Sequence, residues 1–201
     1  MKKRAFTVAL WAVFTVLACS RTEAGMVISE LKCENLLNPN AIDNIKPHFS
    51  WKIKSDRPMR QQAYEIQVAS DSMLLQNGTA DLWNSGKVHS STSVMVPYNG
   101  AELRARSLCY WRVRIWNEKG EVSAWAPTAR FGVGLLSKND MQGSFIGLPG
   151  VKSPVLRKKF TVAGVNTAFL HVNSLGYHEV YLNGEKVSKD VLSPAVSQLN
   201  K

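Results

Sequence analysis

Long apolar runs are almost absent from this sequence. Only Ala5–Ala18 is apolar and uncharged without a break, and it is shorter than the about 20 residues a membrane-spanning helix needs. Cysteine is scarce, at three residues, and none has the Cys/His neighbours that a zinc site requires. G-x-S-x-G, H-E-x-x-H and phosphate-loop motifs are all missing, so nucleophile-elbow, zinc-protease and nucleotide chemistry have no carrier. Phe131–Ser137 has two glycines at dinucleotide-motif spacing but not the third. No stretch sustains a 3.6-residue period, which argues against a helical protein. Acidic residues are few, 15 against 25 basic, for a net charge of +10. The excess lies in small scattered groups, among them Arg104/Arg106, Arg112/Arg114 and Arg157-Lys158-Lys159. A nucleic-acid partner would call for a continuous basic stripe on a known module, so nucleic acid is excluded.

The N-terminus does carry a signal. Lys2, Lys3 and Arg4 form a basic start, the apolar run follows, and Val16-Leu17-Ala18-Cys19 closes it in the manner of a bacterial lipobox. The expectation is that residues 1–18 are a signal peptide. Cys19 then becomes the lipidated N-terminus and holds the chain to a membrane, in the bacterial periplasm or at the outer membrane. The competing cut, by ordinary signal peptidase after Thr22-Glu23-Ala24, also exports the chain. Removing residues 1–18 removes three basic residues and no acidic one, so the net charge falls from +10 to +7. Export permits a disulfide between Cys33 and Cys109, but nothing fixes their distance, and two buried thiols are the favoured reading.

The rest reads as short strands. His48–Ile53 and Gln62–Ser70 alternate, and Thr92–Tyr98 ends on Asn99-Gly100, a tight-turn pair. Cys109–Gly120, CYWRVRIWNEKG, puts Trp111, Val113 and Ile115 on one face and Arg112 and Arg114 on the other. Ser123–Gly134 follows, with Pro127 suited to a strand start. This spacing predicts an immunoglobulin- or fibronectin III-like β-sandwich over residues 26–136. Residues 140–201 offer Ser153–Val162, Asn166–Ser174 and Gly176–Val187, the last with a Leu182-Asn183-Gly184-Glu185 hairpin signal. Their inner face, with Leu156, Phe160, Leu170, Val172, Val180 and Leu182, has no second sheet to cover it. The fold class is therefore all-β, a sandwich followed by an incomplete jelly-roll-type sandwich.

Several segments in order resemble one family: LKCENLLNPNAIDNIKPHFSWKI, QQAYEIQVAS, DLWNSGKVHSS, YWRVRIWNEKGEVSAWAPTARFGVGLL, SPVLRKKFTV and GYHEVYLNGEKVSKDVLSPAVSQLNK. From about Leu31 onward the chain is similar to the N-terminal region of bacterial α-L-rhamnosidases. Met141 and Phe145 stand where tryptophan is commoner. The resemblance implies a fibronectin-like domain, then a carbohydrate-binding-like jelly roll. It also implies an (α/α)6 barrel, expected beyond Lys201, that hydrolyses terminal α-L-rhamnosides with inversion. The parent's partners would be rhamnose-containing glycans and that barrel.

Inverting hydrolysis needs two carboxyl groups about 6.5–9.5 Å apart. Glu179, Glu185 and Asp190 are the densest acidic group and read as solvating a hairpin, with a weak calcium site including Asn183 as the alternative. His171 and His178 read as ordinary polar positions. No catalytic residue and no cofactor is assigned. Trp111 and Trp51 are read as core. Arg112 and Arg114 point outward or toward a neighbouring domain, and an exposed, unpaired Arg112 would cost less than ~1 kcal/mol to truncate. The candidate carbohydrate contacts are Trp116, Tyr177, Tyr181 and Asn183, because an aromatic ring covers a deoxy-sugar's apolar face while an amide bonds its hydroxyls. The competing role for the tyrosines is packing against the barrel.

Overall fold

A computed structural model describes residues 25–165, 167–191 and 193. The expected signal segment 1–18 and Cys19 lie outside the described residues. The chain divides into two units, Met1–Met141 and Gln142–Lys201.

The first unit runs β1 (Met26–Cys33), β2 (Leu36–Leu37), β3 (His48–Ser55), β4 (Gln61–Ala69) and a one-turn helix α1 (Ser72–Gln76). It continues with β5 (Trp83–Asn84), β6 (Val88–His89), β7 (Val96–Pro97), β8 (Leu108–Asn117), β9 (Ala129–Gly132) and a 3-10 turn at Lys138–Asp140. One sheet has the order β2-β1-β3-β7; the other is β5-β4-β8-β9, with β6 also pairing with β4. The strand pairs in both are antiparallel. This is the expected immunoglobulin-like sandwich.

β8 follows its sequence pattern residue by residue. Cys109, Trp111, Val113, Ile115 and Asn117 are buried, and the residues between them are half-buried. On β4 the inward set is Tyr64, Ile66 and Val68, in register with Ile115, Val113 and Trp111. From the facing sheet come Ile28, Phe49, Trp51 and Val96. Phe49 sits at the centre, its ring 4.3 Å from that of Trp111, 5.7 Å from Phe131 and 6.3 Å from Tyr98. Each such buried side chain contributes about 1.5–3 kcal/mol. Trp51 donates from Nε1 to Gln61 Oε1 at 3.1 Å, and Gln61 donates on to the carbonyls of Ser90 and Thr92. The Trp111 indole N–H, by contrast, has no acceptor among the described residues.

Cys33 and Cys109 are free thiols, both buried in this core. No disulfide joins them in this structure. Thr92–Tyr98 contributes only β7, and the Ser123–Gly134 run only β9. Asn99-Gly100 does not form a positive-φ turn. Gly100 is needed for space instead, since a Cβ there would stand 2.4 Å from the Cβ of Trp83 and 2.5 Å from Leu82 O.

The second unit differs from its expected strands. Among its described residues only β10 (Tyr181–Leu182) and β11 (Glu185–Lys186) form, an antiparallel hairpin. Its turn is the one the Asn-Gly pair requires, with φ of 52° at Asn183 and 89° at Gly184. The described residues of Ser153–Val162 and Asn166–Ser174 contain no strand. The reason is lack of burial: Val155 is 97% exposed, Leu170 69%, Phe160 66% and Leu182 53%. Alternation stabilises a strand only when its apolar face is covered. Leu182, expected in the core, is therefore exposed.

Candidate functional site

Of the sequence-derived candidates, Tyr177, Tyr181 and Asn183 lie in the second unit and Trp116 in the first. Tyr181 and Asn183 are brought together by the β10–β11 hairpin, in which the side chain of Asn183 occupies the exposed turn. Tyr177 is 62% exposed and Tyr181 56%. The Tyr181 hydroxyl donates to Glu179 Oε2 at 2.9 Å, while Lys186 Nζ donates to Glu179 Oε1. The Lys186 ammonium, then the Tyr181 hydroxyl, hold Glu179 below the usual carboxylate range; Glu179 in turn raises both partners.

Asp190 accepts from the Ser188 hydroxyl at 2.6 Å. Among the described residues no three His, Cys, Asp or Glu side chains come together to hold a metal ion. His178 Nδ1 meets Ser174 Oγ at 2.7 Å, but that hydroxyl also donates to Gly176 O, and among the described residues no carboxylate orients the ring. The pair therefore lacks the third member that nucleophilic activation needs.

Trp116 belongs to a more extensive construction on the outer face of β4 and β8. Arg114 lies opposite Glu65 in register and Arg112 opposite Gln67. Arg114 bonds Glu65, Nε and Nη2 reaching Oε2 at 2.8 and 2.6 Å. Arg112 directs Nε and Nη2 at Gln67 Oε1, at 3.0 and 2.8 Å. Trp125, from the β8–β9 connection, lies 4.4 Å from the Arg112 guanidinium and 4.5 Å from that of Arg114. Trp116 is met by Arg114 at 5.1 Å and by Lys87 Nζ at 4.8 Å. The result is an alternating row, Lys87–Trp116–Arg114–Trp125–Arg112, covering Glu65 and Gln67, which are 7% and 6% exposed. Burial, followed by repulsion from Arg114, lowers the Arg112 pKa, and Glu65 opposes this.

The condition attached to a low cost at Arg112, that it be exposed and unpaired, is thus not met. Arg112 faces outward, yet it is half-buried, bonded and stacked. Sequence reasoning found Trp116, Arg112 and Arg114 but not Lys87 and Trp125, which come from loops whose reach no periodicity reveals. The legible signal was the matched spacing of Glu65/Gln67 and Arg112/Arg114.

Residues 28–137 match the family described as the Rha78A-like N-terminal immunoglobulin domain. The chain belongs to that family of α-L-rhamnosidase N-terminal domains. Residues 163–201 match the α-L-rhamnosidase N-terminal domain. An α-L-rhamnosidase of Formosa agariphila is 34% identical over all of this chain, which covers 23% of that protein. One of Alteromonas sp. is 35% identical over 84% of the chain and 20% of its own length. The chain therefore spans about a fifth of the length of these curated relatives. Among solved structures, the Streptomyces avermitilis α-L-rhamnosidase complexed with L-rhamnose superimposes with a TM-score of 0.56. It is 34% identical over 58% of this rhamnosidase-family chain and 11% of its own. The enzyme of Dictyoglumus thermophilum gives a TM-score of 0.56 at 32% identity over 58% of this chain and 13% of its own.

Proposed function

We propose that these residues are the non-catalytic N-terminal region of an exported α-L-rhamnosidase, a glycoside hydrolase whose barrel removes terminal α-L-rhamnose. The sandwich acts as a rigid support for the neighbouring domains, and Cys19, lipidated, ties the protein to a bacterial membrane. The observation that carries this reading is the match of both units to rhamnosidase N-terminal domains. The local chemistry agrees with it. The surface depressions at Tyr98–Glu102 and Pro58–Arg60 each hold a single carboxylate, Glu102 and Glu118, where inverting hydrolysis requires two.

The test is release of nitrophenol from p-nitrophenyl α-L-rhamnoside by the 201-residue chain. We expect none; turnover by this chain would contradict the support role. Anchoring is tested separately by Cys19→Ala, which should leave an uncleaved precursor or a soluble product, whereas unchanged membrane attachment would remove the lipid anchor. A second reading, a glycan-binding surface lipoprotein, is favoured by the exposed Tyr177 and by the exposed Tyr181 on the hairpin that carries Asn183. Silence of the exported chain on a rhamnoside-bearing glycan array would eliminate it.

A further inference from the structure

The row on the outer face of β4 and β8 is unbalanced in charge. Arg112 and Arg114 stand two residues apart on one strand, and the residues opposite them are an amide and a carboxylate. Arg114 is neutralised by Glu65. Arg112 receives only the neutral oxygen of Gln67, and among the described residues it has no carboxylate partner. Arg130, in register with Tyr110 on the adjacent β9, is likewise held by an amide, Asn40 Oδ1 at 2.9 Å. Lys87 closes the other end of the row against Trp116. Four cations thus line a strip whose β8 portion, Tyr110 to Trp116, is roughly 20 Å long, with Glu65 as their one paired anion among the described residues.

We propose that this strip binds an acidic oligosaccharide, with Arg112 pairing a uronate carboxylate and Lys87 and Arg130 attracting its neighbours. Recognition is by charge and by the guanidinium N–H groups that Gln67 does not engage. Ring stacking is secondary, since the indoles of Trp116 and Trp125 already hold cations. Those indoles and Gln67 fix the Arg112 side chain in advance, so little rotamer freedom is lost on binding. The choice of a sugar over another carboxylate rests on the glycan context of the proposed function; the charge imbalance does not.

The experiment titrates the chain with trigalacturonate, following tryptophan fluorescence, with maltotriose and triglutamate as controls. Saturable binding to trigalacturonate alone, weakening as salt rises, is expected. Gln67→Glu gives Arg112 an internal counterion and should weaken binding at least tenfold while the thermal midpoint holds; Arg112→Gln, which removes the cation itself, should weaken binding at least as much. Three results would each overturn the proposal: no saturable response to trigalacturonate, unchanged affinity in Gln67→Glu, or triglutamate binding as tightly. The rhamnosidase reading is decided independently by the chromogenic assay and stands or falls without these titrations.

Discussion

The two units of this chain answer the same kind of sequence in opposite ways. In the first, alternation along Leu108–Asn117 becomes a ten-residue strand with every second side chain buried. In the second, Ser153–Val162 alternates comparably, yet Leu156 is 50% exposed, Phe160 66%, and no strand forms among them. The difference is what stands across from each strand. Trp111 meets Phe49 of the facing sheet at 4.3 Å, whereas the described residues of the second unit contain one short hairpin and no facing sheet. Period-two patterning records which face a strand intends to bury; burial itself has to come from elsewhere in the fold.

The largest test of that contrast pairs two aromatic truncations. Trp111→Ala removes a fully buried side chain and should destabilise the first unit by ~3–5 kcal/mol. Phe160→Ala, at a 66% exposed position, should stay within about 0.5 kcal/mol. Urea titrations giving comparable losses at both sites would erase the distinction between the units.

A middle-sized effect is expected on the sandwich's outer face. Arg112→Ala strands the nearly buried Gln67 oxygen and removes a guanidinium stacked on Trp125. About 1–3 kcal/mol should be lost, chiefly from the orphaned acceptor. A cost below ~0.5 kcal/mol in the same titration would mean that the row is a surface ornament rather than a second packed layer.

The smallest effect concerns acid. Burial works to raise the Glu34 pKa, but hydrogen bonds from the His48 backbone N–H and imidazole, with Asn44 Nδ2, outweigh it and leave the group lowered. A carboxylate depressed in the folded state adds stability that is complete above its unfolded pKa of about 4.3. That stability drains away as pH falls through the lower folded value. Glu34→Gln should therefore narrow the drop in urea midpoint between pH 6 and pH 3. A steeper acid drop in the variant would show that the sign is wrong.

Legibility followed the same division. β8 and β4 could be read directly because their neighbours are one hairpin or one register away and both faces are consistent. β1 could not: Glu30 takes a φ of 49° and the pairing with β3 shifts between Ser29 and Lys32, which breaks the alternation of Met26–Cys33. α1 was invisible because five residues are too few to show a helical period; its start depends on the Asp71 side chain accepting from Met73 N. At the candidate sites the exposed hairpin, with Tyr181 and Asn183, was legible from a local turn signal. The Arg–Trp row was only half legible, since Trp125 and Lys87 reach it through loops and Arg112 had no charged partner to suggest that it was held.

The central claim is that one unit is closed by its own two sheets and the other is not. Backbone hydrogen exchange on the chain tests it most directly, because slow amides require burial and cooperative protection. The account predicts slow exchange at the paired residues of β1, β3, β4 and β8, and fast exchange throughout Gln142–Val191, including the β10–β11 hairpin. Equal protection of both regions in a monomer would contradict it and would mean that the second unit is a complete small domain.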